Sequence, residues 1–319
     1  MTETKHDKNK IPVRITYGAL GAGSAPVWTA HEAGIFERNG LDAEVFMIRG
    51  SAAVSDALLK GEVHFGNVAS PNPLQYSLQG DRDLVYLTGG LNYVVQTLVV
   101  QPEITDISQL KGRTLGKSGG DSDLDDILLA QFLPPAGIDP RKDVAYANNE
   151  NQPDAIEQLK SGAIDGTLLT PPWLFVAQKA GFKIIMDPMD VMIDYQLGGI
   201  VTTKELVAAE PELVRRVVKS YVDGVHHYKR HPDFATDVVQ KYSKLTDRDI
   251  ARQCQAHYVN FFGNKPYPSD KGIQTVLTQL AKRLPEAAGV DAARFIDASW
   301  LRELDDSGYI DELYEREPV

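Results

Sequence analysis

Cysteine is nearly absent: the 319 residues hold one, Cys254. A single thiol excludes an internal disulfide and any cysteine-based zinc cluster, so neither staples the fold. Long apolar runs are missing too. No stretch reaches the ~18–20 residues needed to span a bilayer, so direct membrane insertion is not expected. The first ten residues, Met1 to Lys10, are polar and charged, without the apolar core or small-residue cleavage site of a signal peptide. The chain is therefore expected in the cytoplasm if Met1 is the native start, and in the periplasm if an export signal was removed. Positive charge is in deficit: 33 Lys and Arg face 44 Asp and Glu, a net charge of -11. That balance argues against nucleic acid and against binding to a membrane surface. Walker and dinucleotide-binding motifs are also missing, which disfavours NTPase and dehydrogenase chemistry.

What is present is an alternation of short strands and helices. Residues 12–18 alternate as a strand and run into the glycine-rich segment 18–24. Residues 26–31 start a helix that stops at Gly34, 41–47 form a second strand, 51–60 a second helix closed by Gly61, and 63–67 a third strand. Strands alternating with ten-residue helical stretches mean βαβ units and a mostly parallel sheet. In such sheets ligands lie outside the carboxyl ends of the strands, which puts 21–25 and 67–71 at a binding edge. A helix at 74–79 and strands at 83–88 and 94–101 follow.

After the polar segment 102–109 the pattern restarts. It runs through a strand at 114–116, a second glycine-rich junction at 118–122, and a helix carrying Leu124, Ile127, Leu128 and Phe132. Strands at 144–147, 163–169 and 182–186 alternate with further helices. An apolar strand at 196–203 leads back, and from Lys204 the chain turns helical. Val214, Val217, Val218, Tyr221, Val222 and Val225 form one amphipathic face; more helices are expected at 233–242, 247–261, 270–283 and 293–303. The length accommodates two domains. The expected division is a disordered tail at 1–10, a first lobe of 11–100 with 200–319, and a second lobe of 101–199.

The run Ala25-Pro26-Val27-Trp28-Thr29-Ala30-His31-Glu32-Ala33-Gly34-Ile35-Phe36, followed by Asn39-Gly40-Leu41-Asp42-Ala43-Glu44-Val45, resembles the opening of type II periplasmic binding proteins. The branch is the nitrate, sulfonate and thiamine-precursor one. Ile107-Ser108-Gln109-Leu110-Lys111-Gly112-Arg113-Thr114-Leu115-Gly116 is similar to that family's domain-entry phrase, and Ala163-Ile164-Asp165-Gly166 also matches it. The resemblance covers roughly residues 12–240. It implies two α/β lobes that close on a small molecule like a hinge, with the C-terminal helices packed on the first lobe. It departs from the family where Gly61-Glu62-Val63 leads to His64 rather than Asp. Relatives of this fold also include cytoplasmic enzymes: pyrimidine-precursor synthases, a sulfinate desulfinase and aromatic-acid decarboxylases.

Candidate ligand contacts follow from the binding edge. Gly23 and Ser24 offer backbone N–H groups ahead of the helix opened by Pro26. Asn67 and Ser70 end the third strand with short polar side chains, and Asn92 with Tyr93 follows Gly89-Gly90 near the expected hinge. Ser118, Gly119 and Gly120 are the second-lobe counterpart, though Asp121, Asp123, Asp125 and Asp126 crowd the same helix start and disfavour a simple inorganic anion there. Trp28 and Trp173 read two ways, as rings that stack on a ligand or as core residues. His64 is the candidate proton donor if the chain is an enzyme; His31 is a weaker one. His226, His227 and His231 read as surface residues, and Cys254 lies away from the binding edge.

Two functions fit. One is a solute-binding protein that captures a small aromatic, heterocyclic or sulfonate-like ligand for an ABC-type permease and its ATPase. The alternative is a cytoplasmic lyase or pyrimidine-precursor enzyme on the same fold, with His64 as acid. Neither needs a cofactor or a metal.

Overall fold

A computed structural model of the chain describes residues 10–80, 82–118, 124–190 and 192–316. The tail expected over 1–10 thus lies, apart from Lys10, outside the described residues. Two compact units emerge, one made of residues up to Tyr93 and from Asp194, the other of Val94–Ile193.

The first unit opens with β1 (Ile11–Tyr17), α1 (Ala25–Glu32), α2 (Ile35–Arg38), β2 (Leu41–Met47), α3 (Ser51–Leu59), β3 (Phe65–Asn67), α4 (Asn72–Gln79) and β4 (Leu84–Tyr86). The second unit holds β5 (Thr97–Val100), β6 (Thr114–Ser118), α5 (Leu124–Phe132), β7 (Ala145–Asn149), α6 (Gln152–Ser161), β8 (Gly166–Leu169), α7 (Trp173–Lys179) and β9 (Lys183–Met186). The chain then returns to the first unit with β10 (Ile200–Thr203), α8 (Lys204–Ala209), α9 (Pro211–Arg230), α10 (Pro232–Tyr242), α11 (Arg248–Tyr258), α12 (Asp270–Leu280), α13 (Ser299–Asp306) and α14 (Tyr309–Arg316).

Each unit is built on a five-stranded sheet. The first has the order β2-β1-β3-β10-β4 and the second β7-β6-β8-β5-β9. In the first, β1 pairs in parallel with β2 and β3, while β10 runs antiparallel between β3 and β4. In the second, β6 pairs in parallel with β7 and β8, while β5 runs antiparallel between β8 and β9. Strand β5 was expected with the first lobe, and residues 194–199 with the second. The structure corrects both: β5 is sealed into the second sheet by ladders on its two sides, and its four residues are all buried. A strand buried on both faces and paired on both edges cannot belong elsewhere.

The chain passes between the units at Tyr93 to Val94 and at Ile193 to Asp194. Within the first unit, the Tyr195 N–H donates to the Asn92 carbonyl at 3.0 Å, and Tyr93 bridges Asp194. Within the second, the Val94 N–H donates to the Ile193 carbonyl at 3.0 Å. The two chain passages therefore run side by side as paired backbone.

Local chemistry explains the element ends. Asn151 caps α6 by accepting the Asp154 N–H at 3.0 Å, and Gly162 closes the helix in the left-handed region at φ 71°. The helix expected at 293–303 is instead split: a single tight turn at Ala292–Phe295 precedes α13. Between them Ile296 forms a parallel bridge with Tyr86, and the Asp297 N–H donates to the Tyr86 carbonyl at 3.0 Å. The pull of that β4 edge takes the chain out of helix and covers an otherwise open strand.

The amphipathic face of α9 packs on α1. The two helices approach so closely that a Cβ on Gly224 would lie 2.5 Å from the Pro26 carbonyl oxygen and 3.0 Å from the Ala30 Cβ. Helix propensity alone predicts that Gly224→Ala stabilises the protein by about 1 kcal/mol. The clash is with backbone, which has nowhere to go, and overpacking costs about 1–3 kcal/mol. The expected outcome is a lowered thermal midpoint for Gly224→Ala; an unchanged or raised midpoint would show that α9 and α1 are not in this contact.

Candidate functional site

At the carboxyl end of β1 the chain enters a tight turn at Ala22–Ser24 and then α1, with Pro26 at its start. Ser24 and Asn67 meet there. The Ser24 hydroxyl donates to Asn67 Oδ1 at 3.2 Å, which joins the ends of β1 and β3. Gly23 is close-packed, since a Cβ on it would come 2.9 Å from Leu91 Cδ1. Ser70 follows β3 and is buried; its N–H and its hydroxyl both donate to the Gln196 carbonyl, at 3.2 and 2.5 Å. Its side chain is thus spent on holding the segment before β10. Asn92 donates through Nδ2 to the Tyr267 carbonyl at 2.8 Å, while its Oδ1 is buried without a partner.

The structure therefore brings Gly23, Ser24, Asn67 and Ser70 to one edge of the first sheet. It adds residues the sequence did not single out. Gln196 anchors Ser70 and accepts the Ser269 N–H at 2.8 Å. Thr88 accepts the Ile200 N–H at 3.1 Å through its hydroxyl. Tyr221, on α9, reaches this edge: a Cβ on Gly90 would lie 2.9 Å from its hydroxyl oxygen. Burial pushes the Tyr221 hydroxyl's pKa up, opposed by the Asn67 and Thr88 side chains. Neither neighbour meets the distance and angle of a hydrogen bond to it, and both the Tyr221 hydroxyl and Asn67 Nδ2 are buried without partners.

Trp28 takes the core reading. It is 0% exposed, its indole stacks on Tyr242 at 5.0 Å and 11°, and the Tyr17 ring meets it edge-on at 5.3 Å. Tyr242 is fixed in turn by donating to Glu32 at 2.7 Å. An indole closed off from solvent and stacked in this way is not an open wall for a ligand.

His64 is placed away from this edge. It precedes β3, at the amino end of the strand that Asn67 ends. Its Nδ1 accepts the Arg14 N–H at 2.9 Å, its own N–H donates to the Arg14 carbonyl at 3.0 Å, and its carbonyl accepts the Thr202 hydroxyl at 2.7 Å. Burial, then the nearby Arg14 charge, holds its pKa below the ordinary histidine value. Its role is to zip β3 onto β1 and β10 as a neutral imidazole, and the expectation of a proton donor at the ligand edge is corrected. His31 is likewise lowered, chiefly by burial. His226, read as a surface residue, is buried, with its ring edge-on to Tyr314 at 4.7 Å. Burial pushes the Cys254 thiol up to about 12, so it is no thiolate. Among the described residues, no cluster of three His, Cys, Asp or Glu is arranged to hold a metal ion.

In the second unit the carboxyl ends of β7 and β8 present Asn149 and Thr170. Asn149 is buried, donates to the Thr167 hydroxyl at 3.1 Å, and leaves its Oδ1 without a partner. Thr170 is clamped by Gln152, which accepts its N–H at 2.9 Å and donates to its hydroxyl at 3.0 Å. Trp173 opens α7, half-buried against a core of Val99, Ile156, Leu159 and Leu174, so part of its ring stays open. Gly119 and Gly120, with the Ser118 side chain, lie outside the described residues. Gly116-Lys117-Ser118-Gly119-Gly120 has the Gly-x-Ser-x-Gly spacing of a hydrolase elbow. Its last two residues lie outside the described ones, and Ser118 is the last residue of β6.

The lowered His64 pKa has a stability consequence. The unfolded chain binds a proton near the ordinary value of 6.5, and the folded chain only at lower pH. Stability from this group is therefore complete above 6.5 and lost as pH falls towards the folded pKa. Thermal midpoints of wild type are expected to fall between about pH 7 and pH 5 more steeply than those of His64→Asn, which keeps an acceptor for the Arg14 N–H. Equal slopes would show that His64 titrates alike in both states.

The family model described as NMT1/THI5 like matches residues 22–235. A Brucella abortus protein named as a binding protein is 23% identical over 251 residues, covering 77% of this chain and 76% of its own. Among solved structures, the periplasmic aliphatic sulphonate binding protein SsuA of Escherichia coli is 16% identical. It superimposes with a TM-score of 0.71 over 90% of this chain and 92% of its own. The desulfurization enzyme DSZB, solved with biphenyl-2-sulfinic acid, is also 16% identical, with a TM-score of 0.71 over 92% of this chain and 99% of its own. These likenesses establish the two-lobed α/β fold of type II periplasmic binding proteins, with the C-terminal helices in the first lobe; a fold shared by a binding protein and an enzyme does not by itself choose between them. By the extent of the sequence match, this chain belongs to the NMT1/THI5-like family.

Proposed function

We propose that the chain is a solute-binding protein that captures a small organic ligand and changes no bond in it. The observation that carries this reading is Asn67, 4% exposed at the carboxyl end of β3, with its Nδ2 donor buried and unpartnered. Such a group costs about 1–3 kcal/mol while it lacks an acceptor, and it stands where α/β sheets receive ligands. Ser24 holds its other atom and so fixes its orientation.

The half-open ring of Trp173 supports a ligand with an aromatic, heterocyclic or sulfonate-like part. The similarity to proteins named as binding proteins supports a partnership with an ABC-type permease and ATPase in the periplasm. Among the described residues no helix is long and apolar enough to cross a membrane. The lyase reading loses its acid, because His64 is tied to backbone at the amino end of β3, and Cys254 offers no substitute.

A thermal-shift screen of aromatic acids, sulfonates and pyrimidines is expected to yield hits that product analysis recovers unchanged. Asn67→Leu is expected to weaken the best hit about tenfold while leaving the circular-dichroism spectrum intact. A hit that is consumed on incubation would overturn the binding reading in favour of an enzyme.

A further inference from the structure

The polar groups behind Ser24 are the least explained part of the first unit. Two buried donors there have no acceptor: Asn67 Nδ2 and the Tyr221 hydroxyl. Tyr221 is 1% exposed. It comes from α9, far away in sequence from the strand ends that it approaches, and the surrounding backbone is shaped around its hydroxyl. The Gly90 N–H donates to the Gly198 carbonyl at 3.0 Å, and a Cβ on Gly90 would lie 2.9 Å from the hydroxyl oxygen. A Cβ on Gly198 would lie 3.9 Å from Asn67 Oδ1. Gly199 is held at φ 149°, where a Cβ would strike the Thr88 carbonyl at 2.1 Å. Glycines at these three positions keep side-chain bulk away from the spot that the two donors share.

A buried donor is almost always paired in a native protein. Two unpaired donors within one nest can both be satisfied by a single acceptor supplied from outside the chain. The groups named there, from Ser24, Asn67, Thr88 and Tyr221, are all uncharged. Stripping a full anion of water against neutral donors alone is costly, whereas a neutral acceptor loses little and gains two hydrogen bonds.

We infer that Asn67 Nδ2 and the Tyr221 hydroxyl form a paired donor site for an uncharged acceptor of the ligand, a carbonyl oxygen or a ring nitrogen. Tyr221 is then a specificity-determining residue of the first lobe. The inference rests on the solute-binding reading and narrows its ligand class.

The test compares wild type, Tyr221→Phe and Asn67→Leu in two measurements, the thermal midpoint without ligand and the response to uracil, benzamide, benzoate and benzenesulfonate. Without ligand, Tyr221→Phe is expected to be as stable as wild type or more so, since it deletes a group that has no partner. With ligand, uracil or benzamide is expected to stabilise wild type more than the two anions, and both variants are expected to bind about tenfold more weakly.

A clear drop in the midpoint of unliganded Tyr221→Phe overturns the inference, because the hydroxyl is then already bonded within the protein or to a resident water. Undiminished binding by Tyr221→Phe overturns it as well. A benzenesulfonate or benzoate response that exceeds those of the uncharged probes and vanishes in Tyr221→Phe overturns the assigned class. A wild type that none of the probes shifts counts against the solute-binding reading, and the unliganded comparison still decides whether the hydroxyl is spare.

Discussion

Strand β10 holds the first unit together. Without it the sheet has two pieces, β2-β1-β3 on one side and β4 on the other; β10 joins them by pairing Val201 with both Gly66 and Tyr86. The chain can supply that strand only after it has left the first unit, built the second and returned. The second sheet has the matching dependence on β5, the first strand after the outward passage, which joins β8 to β9. Each sheet is thus completed by an antiparallel strand next to a passage; the first is whole only after the chain has returned, whereas the second needs the outward passage alone. Backbone pairing of Asn92 with Tyr195 and of Val94 with Ile193 keeps the two passages adjacent.

The same strand creates the candidate site. The residues before β10, Gln196 to Gly199, lie against Ser70, Thr88 and Gly90 and so form the floor beside Asn67. The edge is made mostly of hydrogen-bonding groups already committed to the fold: Ser24 to Asn67, Ser70 to Gln196, Thr88 to Ile200. Committed groups are rigid and cost little to order on binding, so under the proposed function the few uncommitted atoms would determine what is recognised. In the second unit Asn149 Oδ1 is one such uncommitted atom, with Gln96 Oε1 and Thr97 Oγ1, and it lies beside a tight Gly116 where a Cβ would meet the Asn149 amide at 2.7 Å.

Much of the fold was legible because its punctuation is local. Glycines such as Gly61 and Gly162, capping residues such as Asn151, and the alternation of Val13 and Ile15 with Arg14 each act within a few residues, so they show in a linear reading. Long-range pairing does not show in this way. Strand β5 reads as a simple continuation of the first lobe, because nothing in Thr97 to Val100 states that its partners are β8 and β9. Asn67 and Ser24 were accessible as strand ends. Trp28 and His64 stand at suggestive places in the sequence, yet their surroundings come from elsewhere: Tyr242 covers the one, and Arg14 with Thr202 ties down the other. Tyr221 was hidden for the opposite reason. On α9 it continues an apolar row with Val217, Val218 and Val225, so its ring reads as core, which it is. Only its hydroxyl differs, and the significance of one oxygen depends on Asn67 and Gly90 arriving from distant segments.

Those spare atoms carry a thermodynamic sign. A buried donor without a partner lowers the stability of the unliganded protein by about 1–3 kcal/mol. In the inferred site the cost is recovered by a ligand that brings an acceptor to the right point. An analogue that fills the same volume with a methyl group leaves both donors unpaired and binds no better than its apolar surface allows. Discrimination therefore comes less from attraction to the right ligand than from the standing penalty that every wrong one leaves in place. A site of this kind gives up stability in the empty state for selectivity in the filled one, which is the balance that the proposed capture of one solute from a mixture calls for.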